Sequence, residues 1–209
     1  MEYPKRVNLG CGNDKLPRYL NIDSDPSHDP DLVADVANLS DLPDRCFQYG
    51  LAQDVLEHIP RLRINTALKE WNRVLEEGGE LHLRVPNVLA LCDLLRQPGR
   101  TSAGQHEILL QGLFGTQAYP GDFHTVGFTE VVLRERLGEA GFQIRSLGIK
   151  DEWLYEVSGE KVRDKRHDPI LALTGESLIS AIYQRHLGRD PDPEGLRHYL
   201  NLLKAGIPG

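Results

Sequence analysis

Asp122 and His124 stand two positions apart in the segment Leu113-Phe114-Gly115-Thr116-Gln117-Ala118-Tyr119-Pro120-Gly121-Asp122-Phe123-His124. An imidazole that titrates near neutrality, with a carboxylate to orient it, is a general-base arrangement; a histidine bracing the start of a helix is the structural alternative. His58 closes Gln53-Asp54-Val55-Leu56-Glu57-His58, where acid–base use competes with anchoring of the loop by Glu57. Near the N-terminus, Asn8-Leu9-Gly10-Cys11-Gly12 sets two glycines after an apolar strand. Such a turn lets the backbone approach a ligand closely and adopt positive φ. A glycine pair alone is weak evidence, but only ten residues separate Gly12 from Asp23. A carboxylate in that place can accept both hydroxyls of a ribose.

The elements that must position these groups are legible from periodicity. Arg6–Leu9, Tyr19–Asp23, Asp31–Val36 and Tyr49–Ala52 read as short strands closed by acids or amides. Ile64, Ala67, Leu68, Trp71, Val74 and Leu75 recur at helical spacing, Gly78-Gly79 is expected to end that helix, and Leu81, Leu83 and Val85 alternate as a strand stopped by Pro86. Residues 98–127 read as loop-rich. Thr129 is the expected N-cap of a helix carrying Val132, Leu133, Leu137 and Ala140, with strands around Gln143–Leu147 and Trp153–Val157. Strands alternating with helices imply an α/β, Rossmann-like and mostly parallel sheet with helices on both faces and ligands at the carboxyl ends of the strands.

Bulk properties narrow the classes. The 209 residues carry a net charge of −7 without a basic block, which argues against a nucleic-acid partner. Cys11, Cys46 and Cys92 cannot all pair and show no ligand spacing, so a reducing compartment fits. With neither a signal-type N-terminus nor a long apolar run, the chain is expected to lack a membrane span and to be cytoplasmic. His82 faces away from Leu81 and Leu83, while His28, His106, His167, His186 and His198 show no convincing partner, so no metal is expected.

VNLGCG, YLNID, DLVADV, DVLEHIPR and ALKEWNRVLEEGGELHLRVPN together resemble the class I methyltransferases that use S-adenosylmethionine (SAM), particularly a group found in bacterial surface-glycan gene sets. The resemblance covers about residues 6–147, and VLEH followed by RVL-x-x-GGEL-x-x-x-VP is its most specific part. It implies a seven-stranded-type sheet. It places Asn8, Leu9, Gly10, Cys11 and Gly12 against the methionine portion of SAM, Asp23 on the ribose, Asp35 and Val36 beside adenine, and Gln53 near the methionine amino or carboxyl group. It also likens Phe114–Gln117 to an FGGQ-type loop with a following histidine. That makes His124 the first-choice base, Asp122 its orienting partner, His58 a further catalytic candidate, and Gln117 and Tyr119 acceptor contacts. The chain departs from the family in three ways. Asn8 stands where an acid is common, Asn13-Asp14 replaces a third glycine, and Pro17 with the short spacing leaves at most a turn of the first helix. The loop Leu113–Phe128 is then expected to cover the site.

Domains are expected at 1–158 (methyltransferase), 159–174 (charged linker) and 175–209 (helical tail). YQRHLGRDPDPEGLRHYL in the tail resembles the start of a domain of unknown function related to phycobilisome linker repeats. Its apolar face needs the body of the chain, a second subunit or a longer parent protein. The resemblance implies O-methylation of a small-molecule or glycan acceptor, a sugar or polysaccharide precursor. A non-catalytic SAM-like scaffold and a nucleotide or dinucleotide enzyme are the competing classes.

Overall fold

The computed structural model describes residues 3–119, 121–162 and 173–204. Pro120, most of the expected linker (163–172) and residues 205–209 lie outside the described residues. By contact density the chain forms two compact units, Met1–Asp164 and Lys165–Gly209.

The first unit is built on seven strands. They are β1 (Arg6–Leu9), β2 (Leu20–Asp23), β3 (Leu32–Val33), β4 (Phe47–Gln53), β5 (Leu75–Pro86), β6 (Phe142–Lys150) and β7 (Leu154–Lys161). Their spatial order is β3-β2-β1-β4-β5-β7-β6. Neighbours from β3 to β5 run parallel, and β7 lies antiparallel between β5 and β6. From β1 the chain winds outward to β2 and β3, then returns to place β4 on the other side of β1. The order reverses between β1 and β4, and beyond the carboxyl ends of strands at such a switch point a crevice opens. No helix separates β1 from β2; turns occupy the gap, as the short spacing and Pro17 dictate.

Helix α1 (Ile64–Val74) buries Ile64, Ala67, Leu68, Trp71 and Val74, the stripe expected from spacing. Trp71 Nε1 donates to the Val36 carbonyl at 2.9 Å, tying the helix to the segment after β3. The helix stops at Val74 rather than at Gly78-Gly79. Leu75 already pairs with Phe47 of β4, and the two glycines sit where the register of β5 jumps, so they relieve a strand irregularity.

Two helices occupy stretches where none was expected. α2 (Val88–Leu95) starts on Asn87, whose side chain accepts from the amides of Leu89 and Ala90. α3 (Ala103–Phe114) starts on a capping box between Ser102 and Gln105, so only its far side, from Gly115, is the loop foreseen for 98–127. The two pack together on Leu91, Leu94 and Leu109, with Trp153 against them. α4 (Glu130–Ala140) follows Thr129 as foreseen, and its Leu133, Leu137 and Ala140 join the main core with Trp71, Phe47 and Ile22. Strand β7 runs through Lys161, three residues past the expected domain edge; Lys161 is buried and donates to the Leu75 carbonyl at 2.8 Å.

The second unit holds α5 (Gly175–Leu187) and α6 (Pro193–Lys204). Asp192 accepts the Gly195 amide at 2.8 Å and starts α6. Leu178, Ile182, Tyr183, Tyr199 and Leu203 line an apolar groove between the helices.

Candidate active site

The glycine turn follows directly from β1. Gly10 has φ +68, and a Cβ there would stand 2.4 Å from the Val55 side chain, so the turn after β4 closes against glycine alone. The Cys11 amide donates to the Ile22 carbonyl at 2.9 Å and the Gly12 amide to Asp23 Oδ2 at 2.8 Å. Asp23 Oδ1 accepts the Asp25 amide at 2.9 Å and lies 3.2 Å from His28 Nδ1. The carboxylate at the end of β2 is thus held in one orientation, with its edge toward the crevice.

Around this turn opens a cavity of about 560 Å³, lined among others by Gly10, Cys11, Gly12, Asp23, Asp35 and Val36. Gln53, His58, Arg63 and Tyr119 also line it. Asp35 pairs with Arg63 at 2.7 Å across the adenine end expected from the sequence. Asn8 and Leu9, expected against the methionine portion, are both buried beneath the turn. Asn8 Nδ2 donates to the Asp14 carbonyl at 3.0 Å and to Asn21 Oδ1 at 3.1 Å, so it braces the turn from behind. Asn21 in turn donates to Asp31, whose carboxyl those hydrogen bonds hold below its ordinary range.

A second cavity, of about 360 Å³, adjoins the same loops. Its wall includes Glu57, His58, Gln111, Tyr119, Asp122 and His124, and Asp54, His58 and Tyr119 border both cavities. The loop after α3 makes this possible. Gly115, at φ +82, lets the chain fold back until its own Cα sits under the Asp122 carbonyl, where any Cβ would be 2.4 Å away. The amides of Thr125 and Val126 then donate to the Glu57 carbonyl at 2.8 and 3.4 Å, and Thr125 Oγ1 to the Ile59 carbonyl at 2.8 Å. These bonds dock the loop onto the Leu56–His58 turn.

That docking brings His58 and His124 together, their rings edge to face with centroids 4.9 Å apart. His124 Nδ1 is 3.0 Å from the Gly112 carbonyl and His58 Nδ1 is 3.1 Å from the Phe123 carbonyl. A carbonyl can only accept, so each Nδ1 carries the proton and each Nε2 presents its lone pair. Burial and the neighbouring His58 push the His124 pKa down. Asp122 does not orient His124. Its carboxylate turns to Thr116 Oγ1 and the Ala118 amide, because the fold-back at Gly115 points it into its own loop.

Gln117 lines neither cavity; its amide donates to the Asp122 carbonyl at 3.1 Å and its backbone is left-handed. Tyr119 is half exposed, with its ring 6.3 Å from that of His28. His28, assigned no partner from sequence, borders the first cavity beside Asp23.

Glu57 is the residue sequence reasoning undervalued. Its side chain is buried, both carboxylate oxygens lack a hydrogen-bond partner, and burial pushes its pKa up to about 8. One donor atom from each of Glu57, His58 and His124 lies within 4.8 Å of the others. The VLEH motif held a hint, since an acid and an imidazole stand side by side there, but only the loop docking adds the third group and shuts out water.

Comparison with known proteins follows the same outline. Residues 7–83 match the methyltransferase domain family, and residues 171–208 match a domain of unknown function (DUF4214). None of the curated proteins is similar in sequence. A SAM-dependent methyltransferase structure from Methanosarcina mazei superposes with a TM-score of 0.58 at 19% identity, over 78% of this chain and 94% of that one. The 1,6-didemethyltoxoflavin-N1-methyltransferase of Burkholderia thailandensis, solved with bound S-adenosylhomocysteine, gives 0.50 at 12% identity, over 76% and 71%. A possible exported protein of Bordetella parapertussis gives 0.55 at 17% identity over 76% of this chain, which spans only 61% of that protein's length. The first unit thus has the Rossmann-like fold of these neighbours, residues 7–83 within it resemble the methyltransferase domain family, and a helical C-terminal region follows.

Proposed function

We propose that the protein transfers the methyl group of SAM to a hydroxyl oxygen of a sugar or polysaccharide precursor. The observation that carries this reading is the larger cavity at the β1/β4 switch point, where the glycine turn, the fixed Asp23 carboxylate and the Asp35–Val36 segment line one wall. Asp23 receives the ribose hydroxyls, Asp35 and Val36 border adenine, and Gly10 to Gly12 with Gln53 face the methionine end. Bound S-adenosylhomocysteine in the Burkholderia neighbour supports this choice of cofactor.

The second cavity takes the acceptor. A sulfonium methyl is already activated, so transfer needs alignment of the acceptor oxygen and removal of its proton. Tyr119 and His58 mark the border between the two cavities, and His124, with its Nε2 lone pair directed away from Gly112, is the base of the metal-free protein. The acceptor class rests on the sequence resemblance of the motifs.

Incubation with methyl-labelled SAM and a panel of nucleotide sugars and oligosaccharides tests the proposal. Label transferred to a hydroxyl of a sugar is expected. Transfer only to amines or to thiols would overturn the assignment of the acceptor.

A further inference from the structure

We infer that Glu57, His58 and His124 form a binding site for one divalent first-row metal ion, placed where the cofactor cavity meets the acceptor cavity. One donor atom from each residue falls within 4.8 Å of the other two, and no hydrogen bond reaches the Glu57 oxygens from either imidazole. Ligand atoms held about 2.0–2.2 Å from a common ion lie within that range of one another. Both oxygens of the buried Glu57, on the wall of the second cavity, lack any partner, so the carboxyl escapes the cost of an unpaired buried charge only by taking up a proton or a cation.

The imidazoles are prepared in the way metal-binding histidines are. Each gives its Nδ1 proton to a backbone carbonyl, Gly112 for His124 and Phe123 for His58, which fixes the ring and leaves Nε2 free to ligate. Asp54, three residues before Glu57, borders both cavities, although its carboxylate is engaged by Arg84. Two imidazoles and one carboxylate, without thiolate, suit Mn²⁺, Fe²⁺, Co²⁺ or Zn²⁺ better than Mg²⁺. Three protein ligands leave open positions, as in catalytic rather than structural sites.

This inference deepens the proposed function and rests on it for the identity of the ligand in the open position, an acceptor hydroxyl. With the ion bound, the lone pair of His124 belongs to the metal. The ion then acidifies the hydroxyl: the O–H bond breaks, the proton passes to water, and the oxygen lone pair forms the O–CH₃ bond while the C–S bond electrons return to sulfur.

The test is calorimetric titration of Zn²⁺, Mn²⁺ and Mg²⁺ into the chelator-stripped full chain, with Glu57→Gln and His124→Asn beside it. One site for Zn²⁺ and Mn²⁺, with Mg²⁺ weaker and both variants weaker by at least about 10-fold, is expected. Absence of binding, or equal affinity in both variants, overturns the inference. Nitrogen NMR of the wild type provides a readout independent of the variants. Zn²⁺ should shift the Nε2 signals of two histidines, and no shift contradicts the site. S-adenosylhomocysteine is titrated into the same samples. Its binding without metal binding removes only the ion, whereas metal binding without it removes the methyltransferase reading.

Discussion

The imidazoles of His58 and His124 meet edge to face 4.9 Å apart, although one follows β4 and the other closes a loop that comes after α3. Their meeting depends on backbone bonds from Thr125 and Val126 to the Glu57 carbonyl, so the loop and the turn after β4 form one wall between two cavities. The chemistry assigned to the protein sits on that wall.

His124→Ala should lower methyl transfer by about 10²–10⁴-fold while leaving S-adenosylhomocysteine affinity nearly unchanged. The side chain borders the acceptor cavity and is absent from the wall of the larger one. Single-turnover transfer and calorimetry on the same preparation check the two halves. Full turnover in the variant would remove His124 from the reaction.

Asp23→Ala should act the other way. Its carboxylate accepts the Gly12 amide and is the group proposed to meet the ribose, so cofactor affinity should fall about 10–100-fold, the equivalent of a lost charged hydrogen bond. Calorimetry with S-adenosylhomocysteine checks this, and wild-type affinity in the variant would remove Asp23 from the cofactor site.

Gly10→Ala should cost about 1–3 kcal/mol of stability through overpacking, since its Cβ would press on the Val55 methyls. Val55→Ala in the same chain should return part of the loss. Urea denaturation of the single and double variants measures it, and a single variant as stable as wild type would contradict the close approach.

Acid sensitivity should trace in part to Glu70. Its hydrogen bonds to the Arg73 guanidinium hold its carboxyl below the ordinary range, and it also accepts the Leu39 amide at 3.0 Å. The folded pKa lies below the unfolded one, so this stabilisation is present above about pH 4.3 and is lost as pH falls through the folded value. Glu70→Gln should therefore flatten the decline in urea midpoint between neutral and acid pH. An unchanged slope would show that the pair contributes nothing there.

What could be read from the sequence was local. The strands around Val7, Ile22 and Ala52, the stripe on α1 and the Thr129 cap follow from short-range periodicity and capping, and the glycine turn with Asp23 spans only two neighbouring strands. α3 was hidden because its buried face is thin, Leu109 and Gly112 alone, and its start is marked by a capping box rather than a stripe. Asp122 and His124 do not pair because the fold-back at Gly115 turns the carboxylate to Thr116 and leaves the imidazole to Gly112. The isolation of Glu57 could not be read at all, since it arises from a distant segment closing over it.

The central claim, a SAM-type cofactor at the β1/β4 switch point, is met most directly by calorimetric titration of S-adenosylhomocysteine into the full chain, with NAD as the comparison. Saturable binding at one site, weakened by Asp23→Ala and absent for NAD, is the predicted result. Saturable binding of NAD with no heat from S-adenosylhomocysteine would contradict it.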